Sequence, residues 1–404
     1  MGGFAEPVVA DTAKSLSKMG HRVILLAWDR TAKGEETVTT DWGTIWKYQE
    51  KCSLNNPLNF ARKLPGFLRW STWQILAFQR IEKDIILHYH DLDTLIGGVF
   101  TSKLGEIPLV YDCHENYPGL VKGAISKRGA TILHKLEAYL LNYCSGIMAA
   151  GPAGYVRLSD MLEIGAKAPF NANEEEAFKV LSKPQSDFLN SRVTRVGNAK
   201  RLEAYPINRI EKKKGNGKFR LLYIGVLEKH PSRGILETAI TINKMKGIQF
   251  DIGGFGTLVP TLKKVCDKMT NVNYIGSIHP DNVPLQTIES DAVLMALDPK
   301  NDNNRMSAPN KLFEAMSAGV PIITCKELLM GQFVDNEEIG LTFEWGKWDR
   351  LKASLMKLIY DKELRQRLGN RGRRLAEKTH NWEKCEERIE SLYRYVKNNS
   401  TIQA

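Results

Sequence analysis

Cysteine is sparse in this sequence, and what there is does not pair. The six residues Cys52, Cys113, Cys144, Cys266, Cys325 and Cys385 are scattered, with no two at metal-ligand or redox spacing. A disulfide framework and a zinc ribbon are therefore excluded, and free thiols in a reducing, cytoplasmic setting are expected. No apolar run approaches the ~18 residues that a membrane span requires, and no charged-then-apolar leader opens the chain. Acidic residues are in deficit, 46 against 57 Lys and Arg, for a net charge of +11. That balance admits a nucleic acid, an anionic membrane surface or phosphorylated substrates. Basic residues alternate with acids over most helical segments instead of forming a stripe, which disfavours nucleic acid.

At 404 residues, with 43% hydrophobic and 25% charged residues, the chain suits two soluble domains, each with its own core. The order of elements supports an α/β fold. Glu6 to Met19 has helical apolar spacing and is closed by Gly20, and RVILLAW at 22–28 follows as a buried strand. Gly2 and Gly3 open the chain with no strand before them, although such a pair usually follows a strand and admits a phosphate. From Pro57 to Glu82 basic and aromatic residues alternate (Arg62, Lys63, Phe67, Arg69, Trp70, Trp73, Phe78, Arg80). This stretch suits either an anionic membrane surface or a helix packed on its own domain, the second being favoured.

Strands are predicted over 84–89 (DIILHY), 109–111 and 146–150, with a helix over 131–143. Two polar clusters, His90-Asp91-Asp93 and Asp112-Cys113-His114-Glu115, follow the first two strands. Ligands of open α/β sheets lie outside such strand ends. Residues 171–218 are polar and irregular, with EKKKGNGK at 211–218 reading as a linker. Beyond it strands are predicted at 219–224, 250–252, 272–275 and 292–296, with helices at 235–246 and 258–269.

This second half offers three features suited to an anion. Gly225 and KHPSRG at 229–234 place Lys229 and Arg233 before a helix, where Arg233 can clamp a phosphate with two N–H groups. Gly253-Gly254-x-Gly256 follows a strand, although it lacks both the dinucleotide G-x-G-x-x-G spacing and the Walker lysine. The third is SAPNKLFEAMSAGVPIIT at 307–324. Pro309 can open a helix, Gly319 stops it, Pro321 bars continuation, and Ile322 to Thr324 read as a buried strand. Asn310, Glu314 and Ser317 fall on one polar stripe of that helix, opposite Leu312, Ala315 and Met316. Together the three describe a nucleotide diphosphate held by Arg233 and backbone N–H groups, its ribose hydroxyls on Glu314.

The chain resembles the retaining glycosyltransferases of family four, which have the GT-B architecture of two facing Rossmann-like domains. The resemblance runs over nearly the whole length. It rests on GGFAEPVVADTAKSLSKMGHRVILLAW, HYHDLDTL, VYDCHENYP, LYIGVLEKHPSRGILETA, FDIGGFG, VNYIGSI, PNKLFEAMSAGVPII and NWEKCEERIESLY. It implies a UDP- or GDP-sugar donor, held mainly by the C-terminal domain. Glu314 matches the ribose-binding glutamate, Arg233 the donor-phosphate cation and His114 the histidine near the transferred sugar. Gly2 and Gly3 match the acceptor-domain glycine loop that approaches the diphosphate. Lys229, Gly225, Asn310 and Lys311 complete the expected donor contacts, and no metal or other cofactor is expected. Asp91 and Asp93 look structural or acceptor-facing. The implied reaction moves a hexose, with retention, to a glycan or lipid-linked acceptor. The protein would be cytoplasmic and could meet the inner membrane face peripherally.

The resemblance also sets the domain boundaries: 1–205 on the acceptor side, 206–381 on the donor side, and a final helix from 382 that crosses back to the first. Three positions depart from the family pattern. Met306 stands where a second carboxylate is common, so sugar recognition falls to Asn303, Asn304 and Arg305. Val226 replaces an arginine, and the first strand of the N-terminal sheet is absent. These departures leave two alternatives, a non-catalytic sugar-nucleotide-binding subunit and a sugar-nucleotide epimerase.

Overall fold

The computed structural model describes residues 7–53, 57–121, 125–169, 171–181, 183, 185–206, 217–229, 232–243 and 245–400. Gly2 and Gly3 lie outside them, as does most of the expected linker. Seven strands precede residue 200: β1 (Val23–Asp29), β2 (Thr37–Thr39), β3 (Gly43–Gln49), β4 (Leu87–His90), β5 (Leu109–Cys113), β6 (Gly146–Ala149) and β7 (Val193–Arg195). Six follow residue 218: β8 (Phe219–Val226), β9 (Ile248–Phe255), β10 (Val272–Gly276), β11 (Ala292–Met295), β12 (Ile322–Cys325) and β13 (Gly340–Phe343).

The later strands form one parallel sheet in the order β10-β9-β8-β11-β12-β13. Leu221, Tyr223, Phe250, Ile252, Leu294 and Ile323 are fully buried in it, as expected of parallel strands covered on both faces by helices. Each such side chain contributes about 1.5–3 kcal/mol over leaving it exposed.

The earlier strands divide into two sheets, β1-β3-β2 and the parallel β4-β5-β6-β7. Among the described residues no strand pairs with the outer edge of β1 or of β4. Strand β1 is apolar yet only half-buried along its whole length. Strands β2 and β3, one antiparallel to the other, have no counterpart in the sequence reading. The final helix, Trp382–Ser400, packs Trp382, Ile389, Leu392 and Val396 against Val110 and Met148 of the four-stranded sheet.

Helix Pro57–Gln79 turns most of its aromatic residues inward. Trp28 of β1 stacks on Phe60 and Phe67, Tyr48 of β3 meets Phe67 and Trp70, and Trp46 meets Phe78. The favoured packed reading of this stretch is the observed one, with Trp73 the large ring left outside at 66% exposure.

Several expected boundaries move for identifiable reasons. Strand β4 begins at Leu87, because the Glu82 carboxylate engages the N–H groups of Lys83 and Asp84 in a turn. Asp112 and Cys113 lie within β5, paired with Met148 and Ala149, and not beyond it. Gly253 and Gly254 continue β9 instead of opening a helix. The polar 171–218 region contains helix Glu174–Leu181 and the buried strand β7, whose hydrophobic residues are too few to signal themselves.

Candidate functional site

Helix Asn310–Ala318 follows Pro309 at its N-cap and ends at Gly319, which takes the left-handed conformation with φ 65° and returns its N–H to the last turn. One part of the expected polar stripe is wrong. Ser317 is fully buried, because helix Lys362–Lys378 covers that side and Arg373 donates to the Ser317 carbonyl. Glu314 is nearly buried and faces Lys200, whose Nζ lies 3.7 Å from Oε1 and 2.5 Å from Asn310 Oδ1. Lys200 comes from the N-terminal half and was not singled out in the sequence, since a lone lysine in an irregular segment gives no signal. Burial raises the Tyr205 phenol, and the nearby Glu314 charge raises it further.

Lys311 points the other way, into the sheet. Its Nζ sits 4.4 Å from the centre of the Tyr223 ring. A β-carbon on Gly225 would stand 2.7 Å from that Nζ, and one on Gly254 would stand 1.8 Å from the Gly225 carbonyl. Only glycines let the ends of β8 and β9 and this ammonium come so close. Lys311 is 9% exposed and has no carboxylate partner among the described residues. Arg233 is half-buried and likewise unpaired there, its Nε sealed from solvent without an acceptor. It reaches the carboxyl edge of β11 because Gly234 packs against Ala296 and Ser232 accepts from the Asp298 N–H. Lys229 is exposed. One buried and one half-buried cation without counter-charge among the described residues are costly, and an anion at the strand ends would offset that cost.

Of the three residues expected to read the sugar, Asn303, Asn304 and Arg305, the last two are otherwise engaged. Asn304 is buried and caps its own loop, donating to the Asp298 carbonyl at 3.1 Å. Arg305 pairs with Glu174 at 2.7 Å and Asp302 at 3.6 Å. Both therefore hold the loop between β11 and helix Asn310–Ala318 and have less freedom to meet a substrate.

On the other side, His90, Asp112 and His114 come together where β4 and β5 end. Asp112 Oδ2 lies 3.4 Å from His88 Nε2, 3.3 Å from His90 Nδ1 and 3.2 Å from His114 Nε2. Burial pushes the Asp112 carboxyl up, but the charge and hydrogen bond of His114, with those of His88 and His90, hold it well below the usual range. Burial lowers the His90 imidazole, against the pull of Asp112. Asp91 opens the next helix at a left-handed φ of 61°, uncommon outside glycine, and accepts from the His114 N–H at 3.1 Å. Burial raises its carboxyl to about 6, with His114 opposing. Asp93 is raised by burial as well. The final helix sends Tyr393 to His88, with Oη 2.7 Å from Nδ1. The H-x-H alternation at 88–90 puts both imidazoles on one face of the strand, a signal that could have found His88. Nothing local identifies Tyr393.

Beneath this cluster Arg157 makes a buried bidentate pair with Glu137, at 2.7 and 2.9 Å, and reaches Cys113 Sγ. The two halves meet beside the site. Asn116 donates to Asn171 at 3.1 Å, and Asn171 to Asp302 at 3.4 Å. Asn198 donates to the Ala308 carbonyl at 2.8 Å, just before helix Asn310–Ala318.

Two α/β units with polar and cationic strand ends at their junction define a GT-B protein of the sugar-nucleotide-binding class. The chain belongs to the group 1 glycosyltransferases of family four: residues 1–161 match the family model described as Glycosyltransferase Family 4, and residues 233–391 match that described as Glycosyl transferase-like. No curated protein matches it in sequence. Solved structures show the fold. Sucrose-phosphate synthase from Thermosynechococcus elongatus superposes with a TM-score of 0.69 at 14% identity, over 97% of this chain and 93% of its own. HepE of Anabaena, in complex with UDP-glucose, gives 0.57 at 13%, over 94% and 99%. WaaG, a glycosyltransferase involved in lipopolysaccharide biosynthesis, gives 0.54 at 11%, over 98% and 94%.

Proposed function

We propose that this protein transfers a hexose from a UDP- or GDP-sugar to a glycan or lipid-linked acceptor, with retention. The observation that carries the reading is the pair of cations, Lys311 and Arg233, without counter-charge among the described residues, at glycine-lined strand ends. They suit a diphosphate. Glu314 would accept from the ribose hydroxyls, displacing the long contact to Lys200. Asn310 lies one helical turn before Glu314, and Lys229, exposed beyond β8, would add a further charge toward the donor. In the transfer step the bond from the anomeric carbon to the diphosphate breaks and the acceptor oxygen attacks the same face. The acceptor proton passes to the departing phosphate, whose growing charge Arg233 and Lys311 stabilise. His114 orients the sugar. The residues invoked here need no metal for this chemistry. The domain division at 205/206, with the helix from 382 returning to the first unit, fits a crevice that closes on the donor.

The UDP-glucose complex of HepE supports a uridine donor, and the role of WaaG supports a lipid-linked acceptor. A peripheral membrane contact fits a different face from the one expected. Helix Asp91–Gly105 exposes Ile96, Phe100 and Leu104 in one row, and the neighbouring helix Lys127–Leu140 exposes Ile132 and Tyr139. Lys103, Arg128 and Lys135 stand exposed among them. Among the described residues no helix is long and apolar enough to cross a membrane.

The test is calorimetry of UDP, GDP and their sugars against the wild type and Glu314→Ala, followed by product analysis with and without acceptor. We expect one preferred nucleotide, affinity lost by at least about tenfold (~1.4 kcal/mol) in Glu314→Ala, and a retained anomer by NMR, an inverted one overturning the same-face attack. Unchanged binding in Glu314→Ala would remove the ribose role. Binding without turnover would favour a non-catalytic subunit, and an epimerised sugar without acceptor an epimerase.

A further inference from the structure

The geometry points to a binding site for a divalent transition-metal ion at the ends of β4 and β5, with His88, His90 and Asp112 as ligands and His114 beside them. His88, His90 and Asp112 each offer a ligand atom, all within 4.8 Å of one another. His114 forms a second triangle on two of these residues: its Nε2 is 3.1 Å from His90 Nδ1 and 3.2 Å from Asp112 Oδ2, with 3.3 Å closing the third side. Ligands about 2.0–2.1 Å from a tetrahedral ion stand about 3.3 Å from each other. The observed edges have that length.

A plain hydrogen-bond network explains these distances less well. Charge-assisted hydrogen bonds between imidazolium and carboxylate are about 2.7–2.9 Å long. All three contacts to Asp112 Oδ2 are longer, at 3.2–3.4 Å. The His90–His114 contact joins two ring nitrogens, one donating and the other accepting. A cation at the cluster would take the lone pairs of His88 and His90 together with the carboxylate.

The supports around the cluster are those a metal centre uses. Tyr393 Oη, 2.7 Å from His88 Nδ1, can accept a hydrogen bond from Nδ1–H, which fixes the tautomer that leaves Nε2 as the coordinating atom. Asp91 fixes the His114 backbone. Asp112 is 2% exposed, while the side chains of His88, His90 and His114 are 13%, 25% and 10% exposed, so the site is sheltered yet open to an ion. Imidazole and carboxylate donors without thiolate select zinc, cobalt, nickel or iron over magnesium and calcium. The transfer chemistry proposed above does not call for this ion, and although His114 stands next to both, ion binding is read without turnover, so its failure and that of the transfer reading are distinguishable.

The experiment uses the full chain without affinity histidines, stripped with chelator, and titrated with Co²⁺ by visible absorption and with Zn²⁺ by calorimetry. We expect one ion per chain and the ligand-field bands of a low-symmetry N/O site. His90→Gln should weaken binding at least tenfold, and Tyr393→Phe by roughly tenfold as a supporting residue. Asp112→Asn should abolish it. Should Asp112→Asn fail to fold, the other two variants decide, with circular dichroism confirming their structure. No saturable binding, or binding undiminished in His90→Gln, would overturn the site.

Discussion

Lys311 Nζ lies so near the backbone of Gly225 that a β-carbon there would stand 2.7 Å away. Gly225 itself holds φ 155°, where an alanine would be strained, so the clean probe is Lys311→Met, which keeps an unbranched stem beside Tyr223 and removes the ammonium. Thermal stability should change little, while nucleotide-diphosphate affinity falls about tenfold, or ~1.4 kcal/mol. Calorimetry beside a melting curve separates the two effects. Donor affinity equal to wild type would show that Lys311 does not touch the donor.

Arg157 and Glu137 test how the floor of the histidine cluster is held. Both are essentially inaccessible, and their bidentate contact also touches Cys113 and Tyr111. Removing one partner leaves an uncompensated buried charge, which costs about 3–5 kcal/mol. Arg157→Met should therefore lower the denaturation midpoint strongly. Joint replacement of Arg157 and Glu137 by Met and Leu should recover much of the loss, because no lone charge remains. A single variant as stable as the wild type would contradict this account.

His380 makes stability depend on pH. Burial, with the charges of Arg195 and Arg388, lowers its imidazole from 6.5 to about 3. It packs on Phe313 and Phe333 with its Nε2 lacking a partner. The unfolded chain takes up this proton below pH 6.5, and the folded one only near 3. Its stabilising effect is thus complete above 6.5 and shrinks as pH falls through that window, by up to about 1.4 kcal/mol per pH unit. In His380→Phe, urea titrations between pH 7 and 4.5 should show a slope shallower by up to one proton. Parallel slopes would refute the assignment.

The architecture was legible because its signals are local. RVILLAW, FRLLYI and the PIIT strand are apolar runs that follow shortly after a glycine, and parallel strands covered on both faces, as FRLLYI and PIIT are, must be such runs. Gly319 and Pro321 marked a helix end that the structure keeps. What escaped notice depends on distant packing. Ser317 looked solvent-facing until helix Lys362–Lys378 covered it, and Asn304 and Arg305 looked free until Asp298 and Glu174 engaged them. Lys200, 114 positions before Glu314, and Tyr393, 305 positions after His88, join their sites only through the fold.

The row Ile96, Phe100 and Leu104 bears on the acceptor, because a lipid-linked substrate would be met at a membrane. Trp70 is a poor probe of that idea. It stacks on Phe67 and Tyr48, so its loss would damage the fold of the first unit. Phe100 and Ile132 are 59% and 64% exposed, and changing them leaves the core intact. Each buried apolar side chain is worth about 1.5–3 kcal/mol, and each nearby Lys or Arg about 1 kcal/mol at an anionic surface. The wild type should therefore float with vesicles containing anionic lipid and not with neutral ones. Phe100→Ser with Ile132→Ser should reduce flotation at least tenfold, and raised salt should release the wild type by screening Lys103, Arg128 and Lys135. Circular dichroism should remain unchanged in that double variant. Flotation that ignores lipid charge, or survives the double substitution, would exclude this face as the membrane contact.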